Sequence, residues 1–288
     1  MKFPILCSMG GGFSSTAWLP RILLEKYSRD QLHFFTCVLP NEHPSMWELF
    51  DAVEKELNIK VTYVAYDKTQ KFTILPEKEL RSREDCLWTP FDIFDDVKFI
   101  GNSRRDPCSS HLKRKTAQHY VQTFFPNATM AVGIHVDEME RMANIYDNWM
   151  SKGYEVIFPL IDEIPFSTED QIKLLKEWYG VSLPLYELGF EHNNCHGACV
   201  KAGQRQWALF WYYFPEKYMD WENREALWRE QHGNFTILKK KVAGVQVYMT
   251  LTEFRQYLEK ESTDPTTFLG KFIQELPGNP PCFYCSSI

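Results

Sequence analysis

Short apolar runs alternate with segments of helical period through the first two-thirds of this 288-residue chain, and that alternation constrains its fold more than any other feature. Phe3 to Cys7 is apolar and ends at the cluster Ser8-Met9-Gly10-Gly11-Gly12. A helix is predicted from about Ser15 to Lys26, with Pro20 beyond the first turn, where it should kink the helix or shift its start. Leu32 to Val38 and Lys60 to Ala65 read as strands, and between them Trp47, Phe50, Val53 and Leu57 recur at helical spacing. Residues 67–107 look irregular, an excursion of loops. Helices from about Ser110 to Phe124 and Glu138 to Asn148 flank a strand over Ala128 to Ile134, and another strand spans Val156 to Leu160. A helix opens at Thr168 with Gln171 as its capping-box partner and stops at Gly180. Such a series implies an α/β fold, a doubly wound, mostly parallel sheet covered on both faces.

After Gly180 the composition shifts. Residues 205–232 are crowded with Trp, Tyr and Phe, Phe235 to Leu251 looks β-like around Gly244, and Pro277 to Cys285 is a Pro/Gly/Cys segment. The expected organisation is an α/β domain over residues 1–190 and a helical, cysteine-bearing extension over 191–288, packed on it. The aromatic run Trp207 to Trp228 reads either as a base-stacking surface or, more simply, as the core of a helical pair.

Composition excludes several classes. With 44% apolar and 24% charged residues, 14 Gly and 16 Pro, the chain is neither collagen-like, disordered nor coiled-coil. No apolar run nears the ~20 residues of a membrane span, and the N-terminus lacks a secretory pattern. A cytoplasmic protein without membrane partners is expected. The net charge of −6 argues against a general nucleic-acid coat. Yet Lys98, Arg104, Arg105, Lys113, Arg114 and Lys115 lie close together with Asp106 the lone acid among them. They form either a solvated face or a phosphate-binding surface.

Ser8 to Thr16 joins the first strand to the first helix. Glycines there let the backbone wrap an anion, and free amides and the helix dipole attract phosphate. The stretch lacks a Walker ending and the dinucleotide spacing, so an ordinary Gly-rich turn stays open at this point. In a doubly wound sheet the carboxyl ends of the strands form the ligand crevice. Gly10 to Ser15, Glu42-His43 and Glu138 to Arg141 all fall just past predicted strand ends. Arg104, Lys113 and Arg141 would neutralise phosphate. Glu42 and Glu138 would hold Mg²⁺, orient a basic residue, or sit as surface carboxylates. His43, before Pro44, reads equally as a helix-opening residue.

Of the 8 cysteines, Cys7, Cys37 and Cys86 look like packed hydrophobes. Cys195-x-x-x-Cys199 and Cys282-x-x-Cys285 suit tetrahedral metal or a cubane cluster, with the C-terminal segment folding back, against free or redox-active thiols. His196 is poorly spaced as a ligand. Cys108, beside Arg104 and Arg105, is either a thiol of lowered pKa facing substrate or a loop residue.

Together and in order, these blocks resemble the phosphoadenosine-phosphosulfate (PAPS) reductase-like family of the PP-loop superfamily. The resemblance rests on Gly10 to Ser15, Asn41-Glu42-His43-Pro44, Asn102-Ser103-Arg104 with Cys108 to Lys113, and Gly133-Ile134 with Glu138 and Arg141. Pro159 to Asp162, Leu188-Gly189-Phe190 and Cys195 to Lys201 complete it, over most of residues 5–205. It implies ATP with Mg²⁺ bound by Ser8, Gly10, Gly11, Gly12, Ser14, Ser15, Thr16, Glu42, His43, Arg104 and Gly133. Lys113, Glu138, Arg141 and Cys108 would carry catalysis. Cys195, Cys199, Cys282 and Cys285 would hold an iron–sulfur cluster, 4Fe–4S ahead of zinc. The implied activity is that of an ATP pyrophosphatase-type enzyme adenylating a nucleotide, nucleic-acid or sulfur-metabolite substrate, with a possible sulfur-donor protein as partner. The sequence departs from the family pattern in having Ser14 where the loop has Asp and Gly10 where it begins with Ser. It also lacks the Glu-Cys-Gly-x-His ending of the sulfonucleotide reductases. Such a reductase and a non-catalytic nucleotide-sensing subunit are the alternative readings.

Overall fold

The computed structural model describes residues 3–75, 87–102, 105–262, 264 and 267–277. Its frame is a six-stranded sheet in the order β4-β3-β2-β1-β5-β6. The strands are β1 Ile5–Ser8, β2 Leu32–Cys37, β3 Val61–Asp67, β4 Lys71–Leu75, β5 Thr129–Ala131 and β6 Glu155–Ile157. Every pairing is parallel except β3 with β4. Side chains of successive residues leave opposite faces of a strand, so each run feeds two cores. Ile5, Cys7, Phe34 and Val61 pack with Leu19, Leu49, Phe50 and Val53 on one face. Leu6, Phe35, Cys37 and Val64 pack with Ala117, Tyr120, Val121 and Trp149 on the other. Cys7 and Cys37 are packed small side chains, and burial pushes the Cys37 thiol up to about 12.

Helices α1 Leu19–Lys26, α2 Pro44–Leu57, α4 Thr116–Phe124, α5 Met139–Met150 and α6 Thr168–Tyr179 cover this sheet, whereas α3 Pro90–Val97 packs in a separate cluster with the C-terminal helices. In α2 the buried Met46, Leu49, Phe50 and Val53 follow the helical repeat, and the chain leaves through Asn58 in the left-handed region. Pro20 is accommodated because the helix begins with a wide π turn, Phe13–Trp18, which places the proline at the second position of α1. A second wide turn, Ser109–Lys115, opens α4. The N-cap of α6 is Ser167, one residue earlier than expected: its Oγ accepts from the Asp170 amide at 3.1 Å. Gly180 ends that helix at φ 67°.

The supposedly irregular stretch contains β4 and α3. The Asp67 carboxylate accepts from the amides of Thr69 and Gln70, both at 2.8 Å, and so closes the β3–β4 turn. Helix α3 opens with a Thr89/Asp92 capping box. The remaining helices among the described residues are α7 Pro184–Glu187, α8 Gln204–Tyr213, α9 Pro215–His232, α10 Leu251–Glu261 and the short α11 Ile273–Glu275; between α9 and α10 lies a hairpin of β7 Leu238–Val242 and β8 Val245–Met249. The aromatic run is core: Trp207, Phe210, Tyr218 and Trp228 are buried, in one cluster with Ile93, Phe94, Cys108 and Leu112. Among the described residues no helix is long and apolar enough to cross a membrane.

Candidate functional site

Strand β1 pairs with β2 on one side and β5 on the other, so the strand order reverses between β1 and β5. That switch point is where open α/β sheets hold ligands. Two segments leave it. The first is the glycine loop, which is held by its own hydroxyls. The Gly10 amide donates to Ser15 Oγ at 3.1 Å and the Gly11 amide to Thr16 Oγ1 at 2.9 Å. Gly11 has φ +81°, and a Cβ there would stand 2.8 Å from Met46 Cγ and Sδ, so glycine is required twice over. Gly12 caps the helix in extended conformation, with Phe13 the first helical residue. The helix thus presents its opening amides, and the positive end of its dipole, at the strand ends.

The second segment follows β5. At Gly133 an added Cβ would meet Ser15 Cα at 3.2 Å and the Ser14 carbonyl carbon and oxygen at 3.3 Å. Two residues on, His135 Nε2 shares a hydrogen bond with Ser14 Oγ at 2.9 Å, and its ring lies 5.2 Å from that of Trp18. The His135 amide donates to Glu138 Oε2, while Glu138 Oε1 accepts from Arg141 at 2.6 Å. The Gly10–Thr16 loop, Gly133, His135, Glu138 and Arg141 therefore form one connected wall of the crevice. Ser8 is a buried strand residue at its base.

A second centre adjoins it. Glu42 Oε1 accepts from Lys113 Nζ at 2.7 Å, with side-chain exposures of only 2% and 6%. Glu42 Oε2 accepts from the Cys195 amide at 2.6 Å. Burying two charges is costly, and mutual attraction together with the amide's hydrogen bond offsets that cost. Of the roles expected for Glu42 and Glu138, the one their contacts match is orientation of a basic side chain. His43 caps α2: its Nδ1 accepts from the Ser45 amide at 3.1 Å and from Ser45 Oγ at 2.8 Å. Its ring stands 4.6 Å from that of His196. Lys217 Nζ lies within 3.1 Å of both His196 ring nitrogens, and burial together with that ammonium holds the imidazole down at about 4.

The start of α2 links the two centres. Met46 meets Gly11, while Ser45 Oγ accepts from Asn193 Nδ2 at 3.5 Å. Tyr186 adds a further link: its hydroxyl is 3.6 Å from an ideal Cβ on Gly12 and is hydrogen-bonded to the Asn193 backbone. His135, Tyr186, Asn193 and Lys217 were not singled out from sequence, although His135 directly follows the Gly133-Ile134 pair that was.

Cys195 and His196 occupy consecutive left-handed conformations, φ 54° and 52°, which cost energy in non-glycine residues. This turn brings Cys195, Cys199 and Cys108 to the lining of one narrow cavity, with Lys113, Asp106 and Trp221. Soft thiolate donors suit zinc or iron–sulfur chemistry. Among the described residues, however, no three His, Cys, Asp or Glu side chains converge closely enough to hold a metal ion. The described part of the site thus carries two of the four expected thiols; Cys282, Cys285, Cys86 and Arg104 lie outside the described residues.

If the Glu42–Lys113 pair anchors this loop, Lys113→Met strands a buried carboxylate and should cost about 3–5 kcal/mol in urea unfolding. The double variant Glu42→Gln/Lys113→Met should regain most of that loss. A single-variant cost under about 1 kcal/mol would show that the pair anchors nothing. No protein-family model matches this sequence, and no curated protein matches it either.

Proposed function

We propose that the chain binds ATP–Mg²⁺ in the crevice between the glycine loop and the Gly133–Arg141 segment, and adenylates an oxygen of its substrate. The observation that carries this reading is the contact of Gly133 with the Ser14–Ser15 backbone at the strand-order reversal. There a helix N-terminus, a glycine backbone and a buried arginine share one wall, a combination that suits a polyphosphate. In the reaction a substrate oxygen attacks the α-phosphorus, the bond from that phosphorus to the bridging oxygen breaks, and pyrophosphate leaves. The opening amides of the helix and Arg141, oriented by Glu138, offset charge on the departing group. A sulfur nucleophile from a donor protein or sulfur metabolite then attacks the activated carbon, and the carbon–oxygen bond breaks to release AMP. Magnesium, when bound, neutralises phosphate charge.

Calorimetry against ATP–Mg²⁺ and PAPS tests this reading. ATP–Mg²⁺ should bind in preference to PAPS, and Gly133→Val should weaken it at least tenfold while leaving the far-UV circular dichroism intact. Turnover should yield AMP and pyrophosphate. A preference for PAPS would favour sulfonucleotide reduction, ADP and phosphate as products would contradict adenylation, and binding without turnover would favour a sensing subunit. Ser14, tied to His135 where the family loop has Asp, is the observation that favours the last of these.

We also propose that Cys195 and Cys199, with Cys282 and Cys285, hold an iron–sulfur cluster of the 4Fe–4S type, zinc being the other metal such thiols accept. The cluster would hold or deliver sulfur beside the nucleotide. Protein purified without oxygen should contain iron and acid-labile sulfide, and Cys285→Ser should lose both. Unchanged iron in that variant would overturn the four-cysteine assignment.

A further inference from the structure

A wide cavity among the described residues is not lined by the glycine loop. It is an open cleft of about 720 Å³ lined by the 105–118 segment, α5 and Lys201. Among the described residues, Arg105, Arg114, Lys115 and Lys201 line it, against one carboxylate, that of Asp106. That carboxylate is already engaged by the Arg114 guanidinium, through contacts of 3.1 and 3.2 Å. In a chain of net charge −6, so one-sided a lining marks a site for an anion. We propose that the cleft binds a short stretch of single-stranded nucleic acid.

Three features favour a strand over a lone phosphate. The cations come from two stretches far apart in sequence, Arg105, Arg114 and Lys115 in the 105–118 segment and Lys201, around an open cleft, so more than one phosphate can be met. The Arg105 guanidinium lies 5.1 Å over the Phe99 ring, a flat cation–aromatic pair on which a base can stack. Asn144 and Asn148, one turn apart on α5, and Gln118 opposite supply amides suited to base edges. The position is informative too. Arg141, in the proposed ATP site, lies three residues before Asn144 on the same helix. A strand in the cleft would run toward the adenylation centre, so the cleft names the substrate class. That role as substrate rests on the ATP reading, whereas the binding itself does not.

Fluorescence anisotropy of the full chain with a fluorescein-labelled oligothymidylate, and with an RNA of the same length, tests the proposal. For about three phosphate contacts the log–log salt slope should be about −2, a loss of roughly 20-fold between 50 and 200 mM salt. Arg105 and Lys115 are exposed, so Arg105→Glu/Lys115→Glu should fold. It should bind at least tenfold more weakly while its calorimetric affinity for ATP–Mg²⁺ is unchanged; Lys201→Gln should show a smaller loss. Failure of either oligonucleotide to bind at 50 mM salt, or equal binding by the double variant, would overturn the proposal. So would displacement by AMP or inorganic phosphate at the concentration at which the oligonucleotide binds, which would mark a mononucleotide or anion site. Oligonucleotide binding without ATP binding would sink the adenylation reading and leave the cleft standing.

Discussion

The close approach of two backbones, Gly133 against Ser14 and Ser15, is the constraint on which the candidate site depends. It is possible because β1 and β5 are neighbours whose connections depart to opposite sides, so their following segments meet at one end of the sheet. It is tight because any side chain at 133 would press on backbone atoms, which cannot swing away as a side chain can. From this contact follow the placement of His135 on Ser14, the turn that carries Glu138, and the presentation of Arg141. The hydroxyls of Ser15 and Thr16 hold the loop from inside. The loop is therefore held in shape by its own hydroxyls and by the neighbouring backbone.

Around that cradle the protein makes two unfavourable local arrangements. The Glu42–Lys113 pair sits almost wholly out of water, and Cys195-His196 adopts a doubly left-handed turn. They are connected, since the Cys195 amide is the second partner of Glu42. The buried carboxylate gains a charge-assisted hydrogen bond, and the strained turn gains an anchor. The outcome is that Cys195 and Cys199 are held beside Cys108, while Asn193 and Tyr186 reach back to the glycine loop. The glycine loop and the thiol-lined cavity are thus joined through the first turn of α2.

What could be read from the sequence was local. The glycine cluster after an apolar run, the helical spacing of Trp47, Phe50, Val53 and Leu57, and the Gly180 stop each report a short-range constraint and match the structure. The α3 helix carries its signal, Thr89-Pro90 with Asp92, inside a stretch whose overall pattern is irregular. The β3–β4 hairpin was hidden because the Asp67 side chain, rather than a glycine pair, closes its turn. Glu42 and Lys113 stand 71 residues apart, and nothing in either one announces the other. Read alone, Glu42 suits a metal, a basic partner or the surface, and Lys113 suits phosphate; only the tertiary contact pairs the two. The cleft lined by Arg105, Lys115 and Lys201 is a further case, since Lys201 joins the basic run only through folding.

Hydrogen–deuterium exchange with and without saturating ATP–Mg²⁺ tests the central claim most directly. New protection is expected in peptides covering residues 10–16 and 133–141 together, since the two segments form one wall. Protection confined to other parts of the chain, with these two segments unchanged at saturation, would contradict it.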